Sequence, residues 1–250
     1  MHRCVVEERL QEGAIIPLNR EESAHAAKVL RLRPGDMVQL LDGENLHMGR
    51  LETVSDSQCT VCVLERCPSP EAPGKAVLWQ GLPKADKLEL IAQKATELGM
   101  WSLWPVEMTR SIAKADKADK AEKKRERLSR IALEAAKQSG RAHVPEIAPV
   151  RSLNTALRDA QQEGFDLILV AWEEEHALPL SKAVQNYVSK NGIPEKTMIV
   201  IGPEGGITPE EKAKLDDIGA MSVTLGKRIL RTETAGLCAL AALWTALGEM

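Results

Sequence analysis

Aromatic residues are scarce in this 250-residue chain, which has one tyrosine, one phenylalanine and five tryptophans. This scarcity argues against a module that binds RNA by stacking bases on exposed aromatic rings. Long apolar runs are also missing, because none approaches the roughly 20 residues of a membrane-spanning helix. The N-terminal residues lack the apolar core of a signal peptide. The sequence therefore predicts a cytoplasmic protein that makes no membrane contact.

The chain lacks a strong charge of either sign. Its net charge is −3 and its isoelectric point is about 6.0. A nucleic-acid-binding domain is usually basic as a whole, so any RNA-binding surface here must be a local patch. The densest run of charge lies at 110–130, where lysines and arginines outnumber aspartates and glutamates. This run fits a solvated helix face, and its excess of cations makes it a second candidate surface for RNA.

Cysteines are few and their number, five, is odd, which favours free thiols over a disulfide framework. Cys59 and Cys62 form a CxxC spacing within an alternating, strand-like segment. Residues three apart on a strand point to opposite faces, so the pair is poorly placed to share a metal ion. No metal site is predicted. Cys238 belongs to an apolar helical segment and is expected in the core.

A short apolar run, Met198–Ile201, is followed at once by Gly202-Pro203-Glu204-Gly205-Gly206. The run predicts a strand covered on both faces, as in a parallel sheet. Glycines permit positive φ and allow a ligand to approach the backbone closely. Thr208, Pro209 and Glu211 have the spacing of an N-cap, an N1 proline and a capping box, so a helix is expected to begin there.

A second apolar run, Met221–Leu225, ends at Gly226 and leads into a loop from Lys227 to Arg231. Thr232 is expected to cap a helix that begins near Glu233 and is apolar nearly all round. Such a helix is buried against the fold core, a partner subunit or both. Several charges therefore stand beside an apolar helix, where unpaired charge is unfavourable.

Parallel α/β sheets bind ligands beyond the carboxyl ends of their strands, so both glycine loops are candidate ligand loops. The alternative is that these glycines only form two tight strand-to-helix turns and bind no ligand. Neither loop has the GxGxxG or Walker pattern, which leaves dinucleotides and nucleoside triphosphates without support.

The chain divides near a proline-rich segment, residues 67–74, which is typical of a stiff linker. Residues 1–70 contain short alternating segments and turns, the pattern of a small β-barrel. Residues 75–250 alternate strands with helices, the pattern of an α/β domain. Arg31 and Arg33 are two residues apart and are expected to project from one side of a strand, near Lys28.

The segments IGPEGGIT and LGKRILRTETA closely resemble motifs of the RsmE family, and the resemblance extends over essentially the whole chain. These are ribosomal RNA uridine-N3 methyltransferases of the SPOUT, or trefoil-knot, superfamily. The resemblance implies a PUA-like RNA-binding barrel, an α/β-knot domain, bound S-adenosylmethionine and a homodimer. It implies a ribosomal RNA substrate, within the small subunit.

The resemblance also implies site residues. The cofactor would contact residues at three strand ends: Trp172, Ile201, Gly202, Pro203, Glu204, Gly205, Gly206, Leu225, Gly226, Ile229, Leu230 and Thr234. RNA would contact Lys28, Arg31, Arg33, Arg110, Arg141 and Arg228. Phosphate contacts of this kind position the RNA and carry no sequence information.

The charge cluster between the loops suggests a mechanism. Arg231 would stabilise the uridine anion that forms when N3 loses its proton, because a nearby cation favours that anion. Glu204 or Glu233 would help the deprotonation or orient Arg231, and bulk water remains an alternative acceptor of the proton.

Three other functions stay open from the residues alone. They are a non-catalytic RNA-binding protein, a nucleotide-binding α/β enzyme, and a knotted methyltransferase that modifies another RNA or another atom.

Overall fold

The computed structural model describes residues 1–6, 8–43, 45–114 and 118–250. The chain forms two compact units. The first unit comprises residues 1–71 together with 136–144, and the second comprises 72–135 together with 145–250. The sequence-based domain bounds, 1–70 and 75–250, stay a prediction. Residues 115–117 of the predicted charged run lie outside the described residues.

The first unit is built around a curled five-stranded sheet with the strand order β1-β3-β4-β5-β2. Strands β1 and β3 are parallel and the other pairs are antiparallel. The elements are β1 His2–Val5, β2 Ile15–Pro17, α1 Arg20–Ala24, a π-helical turn His25–Val29, β3 Met37–Leu41, β4 Leu46–Thr53 and β5 Thr60–Cys67.

Alternate residues of these strands form one core, which includes Cys4, Leu40, Leu51 and Val61. This alternation is what a sheet with one packed face requires. Cys59 is fully buried and Cys62 is half-buried, so the two cysteines are in different environments.

The prediction that Arg31 and Arg33 share a strand is wrong. Residues 25–29 form the π-helical turn, and 31–33 have no regular structure. Arg31 takes a positive φ of 55°, a backbone conformation that propensity does not favour for arginine. The backbone amide of Arg33 instead donates a 2.7 Å hydrogen bond to the Asp36 carboxylate. Both side chains are exposed.

The second unit has a sheet whose main path is β12-β10-β11-β6-β7-β8, with β9 paired to β7 and every pair parallel. The strands are β6 Lys75–Gly81, β7 Met100–Glu107, β8 Glu146–Ile147, β9 Arg151–Ser152, β10 Leu167–Ala171, β11 Lys196–Ile201 and β12 Met221–Val223. The helices are α2 Lys87–Glu97, α3 Ala118–Ser139, α4 Leu153–Glu163, α5 Leu180–Asn191, α6 Pro209–Asp217 and α7 Thr232–Leu247.

Helices cover both faces of this sheet. One core contains Leu78 of β6 with residues from α2, α5 and α7. The other contains the neighbouring Trp79 with residues from α4 and α6. Successive residues of a strand face opposite sides, so a continuous apolar run is what a doubly covered strand needs. The predicted buried strand before Gly202 is confirmed as β11.

The predicted start of α6 is also confirmed. The Thr208 side chain accepts from the Glu211 amide, the Glu211 carboxylate accepts from the Thr208 amide, and Pro209 is the first helical residue. Glu211 also accepts a 2.7 Å hydrogen bond from the Thr109 amide. The capping box thereby fixes α6 against the residues that follow β7.

Two predictions about the last helix are wrong. Arg231 is the N-cap of α7 and makes no side-chain cap, whereas Thr232 is the first helical residue. Cys238 is exposed, because α7 buries the opposite face through Leu240, Leu243 and Trp244. In a helix that is apolar all round, periodicity cannot tell which face is inward.

None of the helices in the described part of the chain has both the length and the apolar character that crossing a bilayer requires.

Candidate active site

The candidate site lies where parallel strands of the second unit end together. Strands β6, β10, β11 and β12 run in one direction, so their carboxyl ends share one edge of the sheet. The first glycine loop, residues 202–206, follows β11. The second glycine loop, residues 226–231, follows β12 and leads directly into α7. Both sequence-predicted loops therefore belong to one edge, as expected for a ligand crevice in an α/β sheet.

Thr232 joins three segments at this edge. Its hydroxyl donates a 2.7 Å hydrogen bond to the Gly202 carbonyl and accepts a 2.8 Å hydrogen bond from the Gln80 side-chain amide. Gln80 lies on β6 and is fully buried, and Thr232 is 6% exposed. The two hydrogen bonds hold the start of α7 between β6 and the first glycine loop. Burial of these polar groups is tolerated because they satisfy one another.

The first glycine loop has little room for side chains. A β-carbon at Gly205 would lie 2.7 Å from the β-carbon of Arg110 and 3.1 Å from its carbonyl oxygen. The Arg110 guanidinium also donates a 3.0 Å hydrogen bond to the Gly205 carbonyl. A side chain at position 205 would clash with Arg110, so glycine is required there. The hydrogen bond from Arg110 holds the loop in place.

Lys87, in the first turn of α2, bridges two glutamates that the sequence analysis had placed in the site. Its ammonium group lies 2.9 Å from Glu204 of the first glycine loop and 3.1 Å from Glu233 of α7. The Lys84 amide donates a further 3.1 Å hydrogen bond to Glu204. Two carboxylates from distant segments are thus held by one cation.

This bridge favours the charged form of all three groups. Burial opposes ionisation of Glu204, but hydrogen bonds from Lys87 and the Lys84 amide lower its pKa below the ordinary value. Burial also opposes ionisation of Glu233, but a hydrogen bond from its own backbone amide, the pairing with Lys87 and the charge of Arg231 lower its pKa. The pairing with Glu204 and then Glu233 raises the pKa of Lys87. Both glutamates are therefore weak bases at neutral pH.

The second glycine loop carries exposed cations. The side chains of Lys227, Arg228 and Arg231 face solvent, and Ile229 between them is 95% exposed. Gly226 has a φ of +109° and no atom within 4 Å of where a β-carbon would lie. The loop thus offers open backbone and free positive charge at the same place.

The other predicted cofactor contacts surround these loops. Trp172 follows β10 and is half-buried, with the Lys212 ammonium 5.2 Å from its ring centroid. Pro203 and Ile201 are buried, Leu225 and Leu230 are half-buried, and Thr234 is exposed in the first turn of α7. The structure brings this set to one edge of the sheet, and its role in cofactor binding stays a prediction.

The predicted RNA contacts have different surroundings. Arg228 is exposed in the second unit, whereas Arg110 is exposed but bonded to the first glycine loop. In the first unit Arg31 and Arg33 are exposed, and the Lys28 ammonium lies 3.1 Å from Asp56.

Arg141 is a different case, because its side chain is only 7% exposed. Its guanidinium donates to Glu71 at 2.6 and 3.1 Å, within the first unit. The Ala142 and His143 amides also donate to Glu71. Although burial opposes it, these hydrogen bonds lower the pKa of Glu71. The geometry gives Arg141 a structural role, and its contact with RNA stays a prediction.

Sequence reasoning missed Lys87, Gln80 and the bridging role of Thr232. All three act through partners far away in the chain, so the local sequence pattern does not reveal these contacts. A weak signal existed for Lys87, which stands at the start of a helix that follows a strand end.

The comparisons with known proteins agree with this geometry. Residues 70–244 match the family model for an RNA methyltransferase domain, and residues 18–63 match an RNA methyltransferase PUA domain. A ribosomal RNA small subunit methyltransferase E from Bacillus subtilis is 37% identical over 248 residues, covering 97% of this chain and 96% of the relative.

Two solved structures share the fold and carry a cofactor. A ribosomal RNA small subunit methyltransferase E from Neisseria gonorrhoeae, bound to S-adenosyl methionine, superposes with a TM-score of 0.79 at 31% identity. The match covers 98% of this chain and 97% of that one. A putative methyltransferase from Legionella pneumophila, in complex with the same cofactor, gives a TM-score of 0.76 at 29% identity and equal coverage.

The fold and the site edge together define an RNA methyltransferase with a PUA-like β-barrel and a SPOUT α/β-knot domain, which confirms the predicted fold class. Within that class, the chain belongs to the RsmE family of ribosomal RNA small subunit methyltransferases.

Proposed function

We propose that this protein uses S-adenosylmethionine to methylate N3 of a uridine in small-subunit ribosomal RNA. The observation that carries the proposal is the single edge where two glycine loops, a cation-rich segment and the Lys87 bridge converge. The close relatives named for the same rRNA activity, one of them crystallised with this cofactor, support it.

The residues at this edge suit the cofactor. Open backbone at Gly226 and the apolar side chains of Leu225 and Leu230 offer a place for the adenine and ribose. The buried Gln80 carbonyl oxygen has no hydrogen-bond partner among the described residues, which leaves an acceptor beside the first glycine loop. Bound there, S-adenosylmethionine supplies an electrophilic methyl group on sulfur.

Arg231 is the last residue of the second glycine loop and has an exposed guanidinium. In the proposed mechanism it hydrogen-bonds a carbonyl oxygen of the uridine and stabilises the anion left when N3 loses its proton. A preorganised cation at the site of developing charge is an effective source of rate enhancement. Arg228, three residues earlier, holds an adjacent phosphate.

Glu204 and Glu233 have a supporting role in this mechanism. Because Lys87 keeps both carboxylates ionised and weakly basic, they are poor acceptors for the N3 proton. Glu233 instead fixes the start of α7, two residues after Arg231. The proton then leaves to water, the alternative that the sequence had left open.

The first unit is proposed to hold the RNA. Lys28, Arg31 and Arg33 are exposed cations on the PUA-like domain, and phosphate contacts from them would set the register of the RNA. In the second unit, Arg110 adds an exposed cation next to the first glycine loop.

A homodimer that works in the cytoplasm is also proposed. The outward side of α7 exposes Cys238 and leaves Leu237, Ala241 and Ala242 half-buried, an apolar strip that a second copy would cover. Light scattering should give twice the monomer mass. The proposed chemistry assigns no role to a metal ion.

The proposal is tested by incubating the protein with small-subunit rRNA and labelled S-adenosylmethionine, then analysing the nucleosides. We expect 3-methyluridine as the product. A label on a ribose 2′-oxygen or on guanine would refute the proposed target atom, and no label would refute methyl transfer.

A matched pair of glycines tests the cofactor loop by calorimetry. Gly226 and Gly219 both have a positive φ and open space where a β-carbon would lie, so tryptophan strains both backbones alike. Gly226→Trp should lose S-adenosylmethionine binding, whereas Gly219→Trp, at the end of α6, should retain it. Equal affinities would place the cofactor elsewhere.

A further inference from the structure

Helix α3 has a cationic flank that the proposed catalytic chemistry does not use. The flank consists of Lys120, Lys123, Lys124, Arg127 and Arg130. At 3.6 residues per turn, these five side chains fall within about 120° of the helix circumference. Their span along the axis is about 15 Å, since each residue rises about 1.5 Å.

Acidic residues on the same stretch are placed differently. Glu122 projects from the opposite side of α3, where Arg125 engages it, whereas Asp119 and Glu126 lie along one border of the flank, within about 40° of Arg130. A helix stabilised only by internal ion pairs intersperses both signs. The five cations of the flank outnumber the carboxylates on its border, which leaves this side of the helix positive at some cost in mutual repulsion.

Two members of the flank have no ion pair among the described residues, namely Lys123 and Arg130, and both are exposed. Arg127 pairs with Glu89 at 2.8 Å and is still 65% exposed. The flank therefore keeps charge that is available to an outside anion.

The flank begins close to the catalytic edge. Lys124 and Arg125 line a shallow cleft together with Leu82, which follows the end of β6, and Leu88 of α2. Leu88 directly follows Lys87, the residue that bridges Glu204 and Glu233. Glu89 next to it pairs with Arg127. The first turn of α2 thus touches the site on one side and the cationic flank on the other.

We propose that the cationic flank of α3 binds the phosphates of the RNA strand that flanks the target nucleotide. RNA fits better than an acidic protein because the flank is elongated, continues from the catalytic edge and carries no aromatic or large apolar group at its centre. This inference rests on the proposed function and adds a second RNA contact to the one in the PUA-like domain.

The test compares two double charge reversals in full-length protein. K123E/R130E removes two unpaired cations from the flank, and K182E/K190E makes the same charge change on the exposed side of α5. RNA affinity is measured over a range of salt concentrations. Each phosphate contact contributes about 0.7 to the salt slope for single-stranded RNA. The flank variant should therefore lose about 1.4 in slope, whereas the α5 variant keeps the wild-type slope.

Kinetics separate this surface from the catalytic centre. The flank variant should raise KM for RNA with kcat nearly unchanged, and calorimetry should show wild-type S-adenosylmethionine binding. If the reversed charges impair folding, K123Q/R130Q gives the same comparison with a smaller perturbation.

Three outcomes would overturn the inference. They are an unchanged salt slope, equal losses in the α5 control, and normal binding to naked RNA with impaired methylation of assembled subunits, which would indicate a protein partner. Failure of the proposed function would look different, because the wild type itself would then transfer no methyl group.

Discussion

Two charge clusters of similar composition have opposite characters. In the first unit, the nearly buried Arg141 saturates Glu71 together with two backbone amides. In the second unit, Lys87 bridges Glu204 and Glu233 but remains partly exposed, and Arg231 beside it faces solvent.

The difference indicates what separates a cluster with a structural role from one that could take part in the proposed chemistry. In a closed cluster, such as that of Arg141 and Glu71, the polar groups hydrogen-bond to one another and leave no group for a ligand. Such a cluster stabilises the fold. An open cluster fixes its carboxylates and leaves a cation free for a group that arrives later. Charged residue types alone do not distinguish the two, but burial and completed bonding do.

The largest effect should come from breaking the closed cluster. Arg141→Met leaves the Glu71 carboxylate without its guanidinium, and removing one partner of a buried pair typically costs about 3–5 kcal/mol. We expect a large drop in the unfolding free energy by denaturant titration. Methyl transfer by the molecules that remain folded should be unchanged.

The same variant tests the predicted RNA role of Arg141. Weaker RNA binding by folded Arg141→Met would show that this residue contacts RNA, and the contrast between the two clusters would fail. Arg141→Met combined with Glu71→Leu should recover part of the stability, because no unpaired charge then remains.

In the open cluster, Arg231→Ala should slow methyl transfer about 10²–10³-fold, the usual effect of losing one donor that stabilises developing negative charge. Stability and S-adenosylmethionine affinity should stay near wild type, since Arg231 is exposed and makes no side-chain cap. Lys227→Ala, on the same loop, serves as the control and should change the rate only slightly. Near-normal transfer by Arg231→Ala would remove this residue from the mechanism.

A smaller effect is expected from Lys87→Met. Without the ammonium group, the pKa values of Glu204 and Glu233 should return toward the ordinary value of 4.5. The acid limb of the pH–rate profile should therefore move to higher pH. At neutral pH kcat should fall several-fold for a different reason, because Glu204 and the start of α7 are no longer held together by Lys87. Lys87→Arg should restore most of the activity. Lys94→Met provides the control, because Lys94 also pairs with a glutamate of α2; an equal loss there would argue against a positioning role.

The smallest effect concerns acid stability. The pKa of Glu71 is lowered in the folded protein, so its contribution is fully present above the unfolded value of about 4.5 and is lost as pH falls through the folded value. Thermal melts between pH 7 and 3 should show this loss in the wild type. Glu71→Gln should be less stable at pH 7 and show a flatter decline, and parallel curves would contradict the assignment.

Much of the fold followed from local chemistry. The unbroken apolar run before Gly202 and the Thr208–Glu211 capping box each encode their structure within a few residues, and both predictions are confirmed. The predictions that Arg31 lies on a strand and that Cys238 lies in the core were wrong. Arg31 has a positive φ, which arginine rarely adopts, so propensity did not predict it. The all-apolar α7 gives no periodicity from which to choose a buried face.

The candidate site was only partly accessible to the same reasoning. Glycine loops and nearby cations are local features, so the sequence could indicate both loops. Lys87 was missed because Glu204 is 117 positions away in the chain, and only the folded topology brings them together. Burial separated Arg141 from the exposed arginines, and no spacing rule reports burial of an arginine.

The hydrogen bond from Gln80 to Thr232 links residues 152 positions apart. A nascent chain leaves the ribosome from its N-terminal end, so β6 emerges long before Thr232 does. This edge of the candidate site therefore cannot be completed until Thr232 has been synthesised, because the hydrogen bond that links β6 to α7 is a long-range contact.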